Sequence, residues 1–382
     1  MIEHLVDYDQ VMSIALAAPP ETPVSAAAEE LARLEELVTL RNSIDAEIAE
    51  TTRAFARAEV DRRLDQIAEG HLSVEQVEAS IVDRLGHALH TSPTRARTQL
   101  RIGRDLHAGL HRVHELYTSG ELDQPKVAAI VAAAAHLDAD ERAEVDTRLA
   151  AHNLPSLGLR RVTDLTRMIV AEVAPEKFTE RARTARRDRH ITISPAGDGM
   201  ALLRAYLPAE QGIACYAALR KAVTEHWVSP DPVTRTRGQL MADTLVERLT
   251  GTTPTEPVTA VEIQVLVPIG SLVNADGPVP AELPGFGPVP AEFLTEPGHT
   301  TWRRLITEDG IVIGADSRRR TFTGALADVI RSRDRGRCTS PHCDAPIEHL
   351  DHLHRWSEGG RTTLTNGAGT CAFHNLVREI PP

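Results

Sequence analysis

Apolar residues in the first part of the chain recur every three, four or seven positions. Leu31, Leu34, Leu37, Ile44 and Ile48 follow that spacing, Ser25 stands ahead of them as a cap and Gly70 closes the run. This pattern predicts one long helix over 25–70, or two in line. Its leucines are expected to pack within their own domain. The alternative, a coiled-coil seam joining two copies into a homodimer, is diluted by Ala46, Ala54 and Ala56. The helical period continues over 73–190, with breaks at Thr91-Ser92-Pro93, Ser119-Gly120, His136-Leu137-Asp138 and Pro155. Within it, 77–106 has the outline of a helix-turn-helix. The helix SIVDRLGHAL meets a short turn at 90–92, and Pro93 opens a second helix carrying Arg95, Arg97, Arg101 and Arg104. Spacings of four and three put Arg97, Arg101 and Arg104 on one face, which either meets phosphates or is the solvated side of an ordinary helical hairpin.

The period then changes. HITIS at 190–194 alternates as a strand, Gly197-Asp198-Gly199 makes a turn, and 200–207 supplies a hairpin partner. Helices follow at 209–226 and 234–250, and VTAVEIQVLV at 258–267 is another strand candidate. Residues 270–300 are rich in Pro and Gly and repeat the phrase GPVPAE, a local duplication in a linker-like segment. A helix from Gly324 to about Arg333 leads into the tail. The expected fold is therefore mostly α with a small α+β portion. The expected order is a lead-in over 1–24, a helical domain over 25–190, a mixed region over 191–269, a connection over 270–320 and a terminal domain over 321–382.

Composition narrows the function classes. Only 3% of residues are aromatic, so the core must be built from Ala, Leu, Val and Ile. The net charge of −12 argues against a simple nucleic-acid coat. From Ser317 onward, however, ten Arg face seven acids, a mildly basic tail on an acidic body. The densest basic run, 181–189, reads as a solvated helix end or a phosphate-contacting segment. No apolar run is long enough to span a bilayer, and the acidic start lacks the basic region of a signal peptide. A cytoplasmic protein without a membrane partner is expected.

The most specific pattern lies in the tail. Cys338 and Cys343 form C-x4-C, and Cys371 and His374 form C-x2-H. Two short ligand pairs far apart in sequence close a loop around a tetrahedral zinc ion, and a small aromatic-poor domain needs such a staple. The fourth cysteine, Cys215, stands alone, so no disulfide framework is visible.

Between the two pairs runs HLDHLHRWSEGGRTTLTNGAGTCAFHN. Asp351-His352-Leu353, Gly359-Gly360, Asn366 and the segment 371–375 resemble the HNH nuclease family, whose ββα-metal unit carries these pieces in this order. The resemblance covers about 330–378. It implies a metal-dependent DNA endonuclease in which Asp351 supplies a hard oxygen ligand for Mg²⁺ or Mn²⁺ and His352 is the general base that deprotonates water. Asn366 would hold the loop and orient His352. If His374 completes the zinc shell, the second ligand of the catalytic metal is Asn375, the HNN variant of the pattern. If His374 faces the catalytic metal, zinc keeps three protein ligands. The first assignment fills zinc's shell and is preferred. Arg355 and Arg361 are candidates for phosphate contacts or for solvated surface roles. Trp356 is expected to pack on the ββα core.

A wider resemblance rests on the helical region, the phrase Ser119-Gly120-Glu121-Leu122-Asp123 and the lead-in RSRDRGRC. The chain is similar to actinobacterial proteins that fuse a helical domain of unknown function to a C-terminal HNH nuclease, including mycobacterial repeat-element proteins. Two departures bear on competence. Gly367-Ala368-Gly369 replaces apolar residues and is expected to weaken packing beneath the metal, and Pro381 and Pro382 end the last helix early. The alternative is a weak or inactive HNH-derived DNA-binding protein with a structural zinc and the 77–106 segment as its reader.

Overall fold

A computed structural model describes residues 23–227, 235–251, 281–283, 285–289, 307–308, 311–312 and 320–380. The lead-in, the 258–267 strand candidate and most of the duplicated Pro/Gly segment lie outside these residues. The described residues are mostly helical, with small two-stranded antiparallel sheets. The chain divides into two units, each drawn from separated stretches. One comprises 1–72 with 94–179, and the other comprises 73–93 with 180–382.

The first unit is helical. It contains α1 (Pro23–Ala68), α3 (Pro93–His107), α4 (His111–Thr118), α5 (Gln124–Ala134), α6 (Ala139–Leu149), α7 (Leu159–Val173) and the start of α8 (Pro175–Arg187). Caps explain where these helices begin. Asp123 accepts from the Lys126 N–H, and Asp138 and Glu141 form a reciprocal capping box. The core joins Ile102, Leu106, Leu110, Val113, Tyr117, Leu122, Ile130, Val145, Leu149 and Val162 in one apolar cluster.

The long N-terminal helix corrects one expectation. Leu31, Leu34, Leu37 and Ile44 are 45–58% exposed, whereas Asn42, Ala46 and Ala49 face inward. The cause is close backbone approach. A Cβ at Gly103 would overlap the Ala49 carbonyl, and one at Gly120 would overlap the Thr39 carbonyl, so only small residues fit on the α1 side. Asn42 uses this proximity to donate to the Gly120 carbonyl at 2.9 Å.

In the second unit, α2 (Val74–Ala88) starts at a Ser73–Gln76 capping box. The two helices of the expected helix-turn-helix are thus divided between the units, α2 in one and α3 in the other. On α3, Arg97 and Arg104 are exposed and Arg101 is half-buried, and Arg104 pairs with Asp105 at 2.8 Å. The basic run 181–189 is exposed apart from half-buried Ala185, and Arg186 pairs with Glu210 at 2.8 Å. The middle region holds the hairpin β1 (His190–Gly197) with β2 (Met200–Tyr206), then α9 (Ala209–Trp227) and α10 (Arg237–Thr250), which pack together. Short pairs follow, β3 (Ala281–Leu283) with β4 (Gly287–Val289) and β5 (Thr307–Glu308) with β6 (Ile311–Val312). The tail contains α11 (Ala325–Arg333), the hairpin β7 (His349–His352) with β8 (Gly367–Thr370), and α12 (Ala372–Val377).

Candidate metal centre and its neighbourhood

The tail is a ββα arrangement. β7 and β8 pair antiparallel, with Asp351 opposite Ala368 and His352 opposite Gly367, and α12 packs against both strands and against α2. α11 lies beneath β8 and contributes Ile330 to a small core with Phe322, Leu326, Leu350 and Leu364. Its last residues fix β8 directly. Arg333 donates to the Leu364 and Gly367 carbonyls at 2.7 Å each, and Asp334 accepts from the Gly369 N–H at 2.8 Å.

The glycines of β8 reverse the expectation of weak packing. A Cβ on Gly367 would overlap Ile330 and Phe322, and one on Gly369 would overlap Ile347. The strand is buried throughout, and the space that larger residues would occupy is filled from neighbouring elements.

Cys338, Cys343, Cys371 and His374 converge, all buried, with ligand atoms within 4.8 Å of one another. The His374 Nδ1 lies 3.4 Å from the Cys338 Sγ and 3.3 Å from the Cys371 Sγ, and the Cys343 and Cys371 sulfurs are 3.9 Å apart. In a tetrahedral zinc shell two sulfurs stand about 3.8 Å apart and a sulfur and a nitrogen about 3.6 Å apart. The group could therefore hold a zinc ion. Local turns shape it. The Cys338 N–H donates to the Ala345 carbonyl at 2.9 Å, His342 takes a left-handed φ of 60°, and Cys371 caps α12.

The protonation pattern also suits a cation. Burial opposes ionising Cys338, but hydrogen bonds from His374, Ser340 and Cys371 outweigh it and bring its thiol to about 6. Burial and the neighbouring sulfurs push Cys343 up to about 12. Burial disfavours the His374 imidazolium, yet hydrogen bonds to Asp83, Cys338 and Cys371 raise it to about 10. Without a metal, a proton on the His374 imidazole supplies the positive charge beside the Cys338 thiolate. Asp83, on α2, holds the far side of that ring, with its Oδ1 3.4 Å from the His374 Nε2. An outer carboxylate on a ligating histidine fixes its tautomer and orientation.

Asp351 and His352 are the last two residues of β7. The Asp351 Oδ1 accepts from the His352 backbone N–H at 2.8 Å, and its Oδ2 pairs with Arg378 at 3.3 Å. His352 is buried against Phe322, with ring centroids 4.5 Å apart, and Trp356 lies 5.8 Å away on the other contact. Its Nε2 is 2.9 Å from the Thr362 hydroxyl, which in turn donates to the Arg320 carbonyl. When the Thr362 proton serves the Arg320 carbonyl, at 3.4 Å, Thr362 accepts from Nε2–H and the Nδ1 lone pair is left to take a proton. Burial is the main cause that lowers the His352 pKa, helped by Arg320 and Arg378 and opposed by Asp351.

Asn366 organises the intervening loop. Its Oδ1 accepts from the His354 N–H at 2.7 Å, and its Nδ2 donates to the His354 and Arg361 carbonyls at 3.0 and 2.8 Å. Its own carbonyl accepts from the Leu353 N–H at 2.7 Å. Gly359 turns the loop at φ 94°, and Gly360 passes so close to the His354 carbonyl that a Cβ would not fit. Asn375 is half-buried on α12, its N–H bonded to the Cys371 carbonyl at 2.9 Å. Arg355 is exposed, pairs with Glu379 at 3.7 Å and donates to the Arg378 carbonyl, and Arg361 is exposed.

The sequence did not single out Thr362, Arg378 or Asp83. Thr362 and Arg378 sit in a loop and at a helix end with no motif of their own, and Asp83 is remote in sequence from the cluster it supports.

The family described as "Domain of unknown function (DUF222)" matches residues 31–334. No curated protein and no solved structure matches the chain. Among the described residues, no helix is long and apolar enough to cross a membrane.

Proposed function

The chain belongs to the DUF222 family, and from that membership and the geometry of its tail we propose that it is a metal-dependent DNA endonuclease of HNH type, in the HNN variant. One observation carries the reading: β7 ends on a carboxylate followed by a buried imidazole, and a Cys3His group joins the 338–343 turn to the start of the helix that follows the hairpin. Zinc would be held by Cys338, Cys343, Cys371 and His374 as a structural ion. Asp351 and Asn375 offer hard oxygens suited to Mg²⁺ or Mn²⁺. When bound, that ion supplies charge neutralisation at a phosphodiester.

The remaining work falls to this chain's own residues. Neutral His352, its Nε2–H fixed on Thr362, takes a proton from water at Nδ1. Asn366 holds the 354–361 loop in place, and Arg355 and Arg361 offer charge to the DNA backbone. Plasmid DNA incubated with full-length protein and Mg²⁺ or Mn²⁺ should be nicked. His352→Ala should lower that rate by roughly a hundred- to ten-thousand-fold, with zinc content unchanged. Equal nicking by wild type and His352→Ala would defeat the proposal.

A second reading has one specific support. Arg378 occupies the Asp351 carboxylate, where a catalytic cation would bind. A chain that keeps this pair would be a catalytically weak or inactive HNH-derived protein that binds DNA and uses zinc as a staple. DNA retention without cleavage under any divalent ion would select it.

A further inference from the structure

Away from the tail, three side chains of the first unit converge with no role in the reading above. They are Glu50 on α1, His107 at the end of α3 and His114 on α4. The Nε2 atoms of both imidazoles approach the same Glu50 oxygen. His114 stands 3.2 Å from it, and His107 makes a short contact with it. The two rings are tilted at 58° with centroids 4.8 Å apart. The His114 Nε2 is buried and makes no properly directed hydrogen bond, despite its nearness to the carboxylate.

The convergence is built into the fold. Gly103 lets α3 press against the Ala49 backbone, which places His107, one turn further on, beside Glu50. Gly109, at φ 111°, turns the chain from α3 into α4 where a Cβ would overlap the Ala139 carbonyl. The buried Asp146 carboxylate then accepts from the Arg112 and Val113 N–H groups at 2.9 and 3.1 Å, fixing the start of α4 and hence His114.

We propose that Glu50, His107 and His114 form a second metal site, for a zinc-type divalent ion, that staples α1 to the α3–α4 turn. The chemistry of the donor set fits. Two imidazole nitrogens and one carboxylate oxygen are the ligands that borderline divalent ions take. A nitrogen and an oxygen bound to one tetrahedral zinc stand about 3.4 Å apart, close to the observed separation for His114. An ion there gives the buried His114 nitrogen, which makes no directed hydrogen bond, a well-aligned bond. The other carboxylate oxygen of Glu50 is 3.2 Å from the Arg53 guanidinium, which remains in place as its outer partner. His107 is partly exposed, so the fourth position opens to water.

This site is independent of the nuclease reading, and metal counting separates the two. Full-length protein equilibrated with zinc and freed of excess should retain two equivalents. The double variant His107→Ala/His114→Ala and the single variant Glu50→Gln should each lose one and keep the other. Cys338→Ser/Cys371→Ser should lose the tail equivalent and keep the second. Cobalt substitution gives an independent signature. Only the tail equivalent should bring an intense thiolate charge-transfer band, and the second should add weak visible bands alone. Variants that do not fold are replaced by Glu50→Gln, whose carboxamide keeps the side-chain volume. A wild-type protein that saturates at the thiolate-bearing equivalent, or retention unchanged in Glu50→Gln, would overturn the site and leave the trio as a hydrogen-bonded ionic cluster.

Discussion

Gly367 and Gly369 lie where the tail has no room for a side chain, since Ile330, Phe322 and Ile347 already fill the space. Gly367→Ala should therefore destabilise the tail by about 1–3 kcal/mol through overpacking, read as a lower midpoint in denaturant unfolding with the zinc count retained. The sequence alone suggested the opposite, because it shows the missing side chains and not the neighbours that replace them. His352 raises a different question at the same scale. Its pKa lies below the ordinary 6.5, chiefly through burial. A base works when neutral, so cleavage should stay on a plateau through neutral pH and fall only as pH drops below that ordinary value. Thr362→Val removes the hydroxyl that fixes Nε2, and the same pH profile should then fall in amplitude and shift in midpoint. A profile governed by a group titrating above neutrality would point to another base.

At the scale of elements, the cluster joins three pieces: the turn bearing Cys338 and Cys343, the start of α12, and α2 through Asp83. Asp83→Asn keeps the shape but loses the charge behind His374. Zinc affinity in competition with a chelator should fall about 10–100-fold. Binding must also displace the proton of His374, held to about 10, and that of Cys343, held to about 12. Apparent affinity should thus weaken as pH falls from about 8 to about 6, with proton release on binding measurable in weakly buffered solution. Much of this scale was legible in the sequence. The Cys and His spacing identified the cluster, whereas the caps Ser73, Asp123 and Asp138 emerge only from the structure. Loop signals at Pro93, Gly120 and Pro155 marked the breaks between helices. Asp83 was not legible, because no local pattern reports a contact made so far along the chain. The Glu50–His107–His114 trio was hidden for the same reason, since backbone packing at Gly103 creates it.

At the scale of the molecule, the exposed leucines of α1 form an apolar row that the first unit leaves open. If two copies pair through it, Leu34→Asp/Leu37→Asp should shift the sedimenting species from dimer to monomer while leaving the helical spectrum unchanged. A monomeric wild type would dismiss that pairing. The division into units reshapes how the tail must be studied. A fragment beginning at α11 lacks Asp83 and the helix that carries it, so cleavage and metal binding belong to the intact chain. The same division bears on biogenesis. α2 carries Val77, Ile81, Val82 and Leu85, all destined for burial, yet its partner α12 is translated long after it. Until α12 emerges that apolar helix waits without its mate, a natural client surface for chaperones and a point at which a stalled nascent chain would aggregate.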